Sequence, residues 1–432
     1  MQKIRRQLIM LLRRLRPLFP QWLVNHLYHL PLALLASRMY GNPSIGLEII
    51  AVTGTDGKTT TTSLIYHILK SARRKVAMIS TVEAKIGKKS LDTGFHVTTP
   101  DPFMLQRLLR RIRSQKIRYV VLEVTSHGLD QFRFYPIKPA IAVLTNITHE
   151  HLDYHGSYEK YRSAKLRLFK GATHAVINKD QPDFSVINTS LPKTLFSTYS
   201  LTTDSQLRAE DVVESVDSTS FRVGRTVYKL PMTGLYNVSN ALAAISTALL
   251  LEVHPTDIKR ALLSFPGVKG RLQAIPNKRG INAYVDFAHT PNALREVLGN
   301  LKKKLGKTEK LIVVFGSAGL RDVSKRPLMG KYAAQFADQI IITSEDPRTE
   351  DPKDIVKDIM SGIPSGTRRK VVVELDRAIA IDRAINEFAQ PGDWVVSCGK
   401  GHENSMNLDG WTETPWSDQK AMEDALNKKN NN

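Results

Sequence analysis

VTGTDGKTTTT, residues 52–62, continues an apolar run at residues 49–52 and opens an amphipathic stretch at residues 59–70. A buried strand that ends in a glycine turn, then a lysine, then hydroxyl residues opening a helix, makes a cradle for phosphate. Its backbone N–H groups point at the anion, and the helix dipole favours negative charge there. Gly54, Thr55, Asp56, Gly57, Lys58, Thr59 and Thr60 are therefore candidate ATP contacts, with Lys58 reaching the outer phosphates and Thr59 holding Mg²⁺. Val52 stands where the common G-x-x-x-x-G-K-[ST] pattern has its first glycine, so Gly54 must supply the turn. The plainer alternative is a strand–turn–helix junction without a ligand. Alone, the motif points to a nucleoside triphosphate and leaves open what happens to it.

Apolar runs at residues 76–79, 119–124 and 140–144 read as further buried parallel strands, with helical stretches such as 102–113 between them. A second series of strands is expected at 281–285, 311–315, 339–343, 370–374 and 394–398. The expected fold is α/β: a P-loop-type doubly wound central domain followed by a Rossmann-like C-terminal domain. The expected division is a basic helical segment 1–46, an ATP-binding domain 47–270, a C-terminal domain 271–425 and a disordered tail 426–432. Residues 267–270 read as a hinge, and the polar stretch 180–217 as a strand-and-loop insertion within the first domain.

A chain of 432 residues is long enough for two or three domains. Its single cysteine, Cys398, excludes an internal disulfide framework and suits a reducing cytosol. The net charge of +21 calls for an anionic partner, whether nucleic acid, membrane surface or phosphorylated small molecule. Residues 1–47 carry Lys3, Arg5, Arg6, Arg13, Arg14, Arg16 and Arg38 but no Asp or Glu. Ile4, Leu8, Leu11, Leu12 and Leu15 recur at helical spacing there. No run approaches the ~18 apolar residues of a spanning helix, and no secretory signal is evident. Two readings stand: a helix docked on the body with a solvated basic face, or an interfacial helix drawn to anionic lipid.

Glu123 closes a buried strand, where a charge is costly unless paired, so it suits a metal beside the phosphate loop, or is an ordinary strand-end acid. His151 lies among His149, Glu150 and Asp153, a cluster that could equally be a solvated turn. Asn237 and Asn240 offer the donor and acceptor that an adenine edge needs, although Asn237 could simply cap a helix.

The runs TGTDGKTTTT, LEVTSHGLDQFR, TNITHEHLDYHGSYEKYRSAKLRLF, GLYNVSNALAA, VDFAHTPNAL, RDVSKRPLMG, EDPRTEDP and GKGHE, with the pair Gly270 and Arg271, resemble the Mur ligase family. The branch they resemble is the MurE type, the UDP-N-acetylmuramyl-tripeptide synthetases, and they follow the family order over residues 48–425. The resemblance implies an ATP-dependent, Mg²⁺-requiring ligase of peptidoglycan precursor synthesis. Such an enzyme joins an amino acid, here meso-diaminopimelate, to a UDP-N-acetylmuramyl-dipeptide-like carboxylate through an acyl phosphate. It implies a catalytic set of Lys58, Glu123, His151 and Lys165. His151 would ligate a second Mg²⁺, and Lys165 would carry a CO₂-derived carbamate that supports the metals; without the resemblance Lys165 reads as an exposed helical lysine. Arg271, Asp286 and His289 would join Asn237 and Asn240 around ATP. Thr98, Thr99, Thr125, Ser126, Gln131 and Arg133 would hold the acceptor. Arg321, Asp346, Arg348, Gly399 and Glu403 would hold the amino acid. A cytoplasmic monomer is expected, peripheral at the inner membrane face, with no nucleic-acid partner.

Two features depart from the family pattern. The usual N-terminal domain gripping the uridine nucleotide has no recognisable counterpart, which raises a lipid-linked muramyl acceptor as an alternative. Glu345, Asp346, Pro347 and Arg348 replace the Asp-Asn-Pro-Arg of diaminopimelate-adding relatives. A folylpolyglutamate-type or cyanophycin-type ligase, a nucleic-acid-binding P-loop ATPase and a non-catalytic membrane scaffold are the rivals. HLDYHG and GKGHE favour the muramyl branch, no nucleic-acid-binding motif is evident, and intact Lys58, Glu123, His151 and Lys165 oppose a scaffold.

Overall fold

The computed structural model describes residues 19–91, 99–148, 150–191 and 196–428. Thr98, His149, residues 1–18 of the basic N-terminal segment and the last four residues lie outside these.

Among the described residues nine strands form the first sheet: β1 (Glu48–Thr53), β2 (Val76–Ile79), β3 (Ala84–Ile86), β4 (Lys89–Leu91), β5 (Tyr119–Glu123), β6 (Ile141–Leu144), β7 (His174–Asn178), β8 (Phe196–Ser200) and β9 (Leu207–Arg208). Their order is β4-β3-β2-β5-β1-β6-β7-β8-β9, parallel except for the β2–β3–β4 edge. Alternation of side chains splits each strand between two cores. Ile50 and Val52 pack under the helices Lys58–Ser71 and Leu235–Leu250, whereas Ile49 and Ala51 pack under Pro102–Ser114 on the other face. Strand β1 lies between β5 and β6, the point where the winding reverses and where open α/β sheets leave a crevice beyond the strand ends.

The stretch 180–217 is not an insertion. Phe184–Ser190 is a helix, and β8 and β9 add parallel strands to the main sheet. Its polar composition reflects an edge position, with Ser200 and Thr198 buried through hydrogen bonds rather than apolar packing. Only β10 (Glu210–Glu214) begins a separate antiparallel sheet with β11 (Thr219–Val223) and β12 (Thr226–Leu230).

Residues 267–270 leave the helix Pro255–Leu263 with positive φ at Gly267 (78°) and Gly270 (67°). A Cβ on Gly270 would lie 2.2 Å from the backbone N of His402, so the linker is pressed against the second sheet. That sheet contains β13 (Gln273–Ala274), β14 (Asn282–Asp286), β15 (Leu311–Phe315), β16 (Gln339–Ile342), β17 (Val371–Val373) and β18 (Trp394–Cys398) in the order β13-β14-β18-β15-β16-β17, parallel from β14 to β17. Val313 and Phe315 face one core, Ile312 and Val314 the other. The last helix runs Asp418–Asn427 with Leu426 buried, so the ordered chain continues past residue 425. The carboxyl ends of both sheets line one cleft of 460 Å³.

Candidate active site

The loop after β1 is built around two glycines. Gly57 has φ 79°, and a Cβ there would sit 2.2 Å from Asn240 Oδ1; one on Gly54 would sit 1.8 Å from Thr145 Oγ1. Neither position admits a side chain, and the backbone is left bare toward the cleft. The Lys58 ammonium donates to the Thr55 carbonyl at 2.7 Å. Burial lowers its pKa, while Glu123 and Asp56 pull it back up. Register places Glu123 beside Val52 on the neighbouring strand. One carboxylate oxygen accepts from the Thr59 hydroxyl at 3.0 Å and the other from the Thr81 N–H at 2.9 Å.

Beneath the loop, the Lys165 amine is buried, 2.6 Å from the Gly54 carbonyl and 4.5 Å from the centre of the Tyr161 ring. Burial first, and Lys58 second, push its pKa well below the usual value. The exposed-lysine alternative is thereby excluded. His151 holds a left-handed conformation (φ 58°) and meets the ring of His127 at 4.7 Å, with His155 beyond. Burial depresses all three histidines, His127 to about 3 and His155 to about 4, and His127 and His151 line the cleft.

The second domain closes over the loop. Arg271 stacks on Phe287 at 4.5 Å and donates to the Thr59 hydroxyl at 3.1 Å. Asn292 donates to Asp56 at 2.9 Å. Lys325 bonds the His289 carbonyl at 2.8 Å and lies 3.6 Å from Glu150. Asp286 spends its carboxylate on the backbone N–H groups of Leu272 and Ala288, which fixes the turn carrying Arg271. His289 donates from Nδ1 to the Phe287 carbonyl at 3.0 Å, leaving Nε2 as the acceptor.

Asn237 is in the first turn of its helix, which Gly234 caps, and it donates to the Thr233 carbonyl at 2.8 Å. Asn240 accepts from Thr61 at 3.3 Å and abuts Gly57. At the far end, Arg133 donates to the Thr99 carbonyl at 3.0 Å and to Gln131 at 2.9 Å, and Thr99 and Thr125 share a hydrogen bond at 3.0 Å. On the second domain Arg348, also left-handed (φ 56°), donates to the Gly319 carbonyl at 2.8 Å. Asp346 is paired with buried Lys400 at 3.0 Å, and Lys400 with Glu403 at 2.5 Å. Arg321 has its pKa lowered by desolvation and then by Arg348 beside it.

This geometry has counterparts. The sequence matches the Mur ligase middle domain over residues 52–248 and the Mur ligase glutamate ligase domain over residues 270–401. A 2,6-diaminopimelate ligase acting on UDP-N-acetylmuramoyl-L-alanyl-D-glutamate, from Syntrophomonas wolfei, is 38% identical over 386 residues, covering 86% of this chain and 77% of that protein. A UDP-N-acetylmuramyl-tripeptide synthetase from Roseiflexus is 38% identical over 419 residues, covering 91% and 81%. The chain belongs to the Mur ligase family. It is an ATP-dependent amino acid ligase of that family. The solved structure of a UDP-N-acetylmuramoyl-L-alanyl-D-glutamate 2,6-diaminopimelate ligase is 34% identical with a TM-score of 0.61, covering 90% of this chain and 80% of its own. The folylpolyglutamate synthase of Mycobacterium tuberculosis, at 16% identity and a TM-score of 0.70 over 86% of this chain and 92% of that one, shares the fold alone.

Within this Mur ligase the cleft is lined by Thr55, Asp56, Gly57, Lys58, Thr59, Thr60, Glu123, Thr125, Arg133 and His151 from the first domain, with Asn237 and Asn240. Arg271, Asp286, His289, Arg321, Asp346, Arg348, Gly399 and Glu403 face them from the second. Gly54, Thr99, Ser126, Gln131 and Lys165 do not line it; they stand behind residues that do. Thr98 falls outside the described residues. Sequence reasoning missed His127, Lys325, Lys400 and Asn292. Each lies in a run quoted above, but a lone histidine, lysine or asparagine carries no mark until the fold gives it a neighbour.

Proposed function

We propose that this Mur ligase joins meso-diaminopimelate to the free carboxylate of UDP-N-acetylmuramoyl-L-alanyl-D-glutamate at the expense of ATP. The observation carrying the reading is the cleft itself, which puts a phosphate loop, a strand-end carboxylate and a pair of arginines on facing walls. The acceptor carboxylate attacks the γ-phosphorus, giving an acyl phosphate and ADP. The substrate amine then attacks the acyl carbon, and the tetrahedral intermediate collapses to an amide and phosphate. Lys58 and Arg271 stabilise charge on the transferring group by position, as phosphoryl transfer chiefly requires. Arg133 and Thr125 orient the acceptor. Asn237 and Asn240 border the nucleotide, and His289 offers its neutral Nε2 there.

Hard oxygens at Thr59 and Glu123 fit Mg²⁺, with neutral His151 fitting a second ion; such ions supply Lewis-acid charge at the phosphates. Among the described residues no three His, Cys, Asp or Glu side chains converge on one point. The Lys165 amine is the chemistry a carbamate needs: burial lowers its pKa and so favours the nucleophilic free amine, which CO₂ would convert to an anionic group behind the loop.

For the amino acid, Arg348 and Arg321 present two cations to a distal carboxylate. Asp346, which replaces an amide in the related motif, is neutralised by Lys400 and so does not repel that carboxylate. Glu403, which is paired with Lys400 and lines the cleft, is the acidic group there for a substrate ammonium. The enzyme acts as a monomer in the cytoplasm, and the basic residues 1–47 add an anionic membrane surface as partner. Phosphate release is the test. It should require ATP, the UDP-linked dipeptide and diaminopimelate together, and equal release with a lysine or a folate substrate would overturn the reading.

A further inference from the structure

The helical stretch at residues 21–39 is inside out. Its inward side is small and polar: Asn25, Ala33, Ala36 and Ser37 are buried. Asn25 donates to Asp130 at 2.7 Å, and the helix Leu30–Met39 packs along Pro102–Ser114. The outward side is apolar. Leu27, Pro31, Leu35 and Met39 recur every fourth residue, with Tyr28 and Trp22 alongside, and the large side chains among them are between 51% and 70% exposed. A helix on a protein surface ordinarily presents charge to water and its apolar stripe to the core. Exposure of a whole stripe marks a surface that is covered by something else.

The neighbouring charges indicate what covers it. Pro102–Ser114, packed alongside, exposes Arg107, Arg110 and Arg113 and holds no acidic residue. Arg38 is exposed on the apolar helix itself, and residues 1–47 contain no Asp or Glu. Aliphatic side chains flanked by tryptophan and tyrosine, with arginines at the rim, form the composition of a helix lying in the headgroup region of a bilayer. The stripe is a convex helix face, which a fluid surface accommodates without a matching groove. No described helix is long and apolar enough to cross a membrane.

We propose that this stripe, with the arginines of the adjoining helix, is a docking surface for an anionic lipid bilayer. The proposal deepens the membrane reading of the basic segment and rests on it for the sign of the lipid, but it assigns the contact to different residues. Insertion puts Leu27, Leu35 and Trp22 at the boundary between headgroups and acyl chains, while Arg107, Arg110 and Arg113 meet lipid phosphate. Because Asn25 is bonded to Asp130, two positions before Phe132, whose ring meets His26 at 5.1 Å, the bilayer would lie beside the acceptor-holding segment.

The test uses the full chain with phosphatidylcholine vesicles, with and without phosphatidylglycerol, read by co-sedimentation and by quenching of tryptophan by brominated lipid. Binding is expected only with phosphatidylglycerol, with quenching that Trp22→Phe removes. The double variant Leu27→Ser, Leu35→Ser should bind about tenfold or more weakly. The triple variant Arg107→Gln, Arg110→Gln, Arg113→Gln should lose about fivefold per charge. Both should keep their circular dichroism spectrum and vesicle-free ATP turnover. Neutralising Arg13, Arg14 and Arg16 separates the two readings: if that alone abolishes binding and the serine variant binds as wild type, the basic segment stands and the stripe proposal falls. Equal binding to neutral vesicles would overturn it too. So would a concentration-dependent dimer that the serine variant dissolves in the absence of any vesicle binding.

Discussion

Glu345→Gln should stabilise this protein in neutral to alkaline solution and do far less in acid. Glu345 follows β16, faces the cleft, and has its Oε2 buried without a hydrogen-bond partner, close against Gly399. Burial pushes its pKa from 4.5 to about 7, more than Lys325, Lys400 and Arg377 can pull it down. Between those values the unfolded chain has released the proton and the folded chain still holds it. Folding therefore takes up a proton, and stability falls as pH rises through the window. Above about 7 the whole shift of ~2.5 units is felt, which at 1.36 kcal/mol per unit is about 3 kcal/mol. Glutamine keeps the shape and cannot ionise, although its amide costs about 1 kcal/mol at every pH if it too lacks a partner. The decisive quantity is thus the difference in urea unfolding free energy between variant and wild type, measured below 4.5 and again above about 7. That difference should grow by about 3 kcal/mol toward the variant. A constant difference, or one that moves toward wild type, would refute the claim that burial outweighs the three neighbouring cations.

Three further outcomes follow from the cleft. Lys58→Ala and Glu123→Ala should each lower kcat for ligation by about 10³-fold or more with the fold intact by circular dichroism; near-normal turnover of either would remove it from the phosphate site. Lys165→Met, which keeps the buried volume without the amine, should be nearly inactive, and short carboxylates should partly rescue Lys165→Ala. Wild type trapped with ¹³CO₂ should show a carbamate signal that both variants lack, and a CO₂-independent enzyme would exclude it. Arg348→Ala should raise KM for meso-diaminopimelate about 10- to 100-fold, the worth of a charge-assisted pair, and erase discrimination against lysine; a retained preference would move the carboxylate contact elsewhere.

The central strands were legible because burial on both sides leaves continuous apolar runs. Those at 311–315 and 394–398 match β15 and β18, and the phosphate loop was plain from its two glycines and lysine. The edge was not. Residues 180–217 add strands β8 and β9 whose side chains are satisfied by hydroxyl and amide hydrogen bonds, so the apolar signal is missing where the pairing is real. Site residues divided in the same way. Lys165 reads as a surface lysine by every local rule, because helix periodicity cannot report that Gly54 and Tyr161 lie over it. Asp286, expected at the nucleotide, lines the cleft, and its oxygens also accept from two backbone N–H groups that hold the turn carrying Arg271.

That support bears on how the two domains act together. The two domains are joined across the cleft: the Thr59 hydroxyl donates to Glu123 and accepts from Arg271, and Asp56 accepts from Asn292. Lys58 donates to the carbonyl of its own loop. On the proposed reading, the bonds that Lys58 and Arg271 give to neutral oxygens can be taken over by a phosphate oxygen with greater strength, because charge-assisted bonds to phosphate exceed those to neutral oxygens. An entering nucleotide therefore replaces protein–protein bonds by protein–phosphate bonds at donors already aimed, and few groups must be desolvated or reoriented at that moment. Arg271 matters most in this exchange. It is held from behind by the Phe287 ring and the Asp286 turn, so its guanidinium can turn from Thr59 to a phosphate while its backbone stays in place.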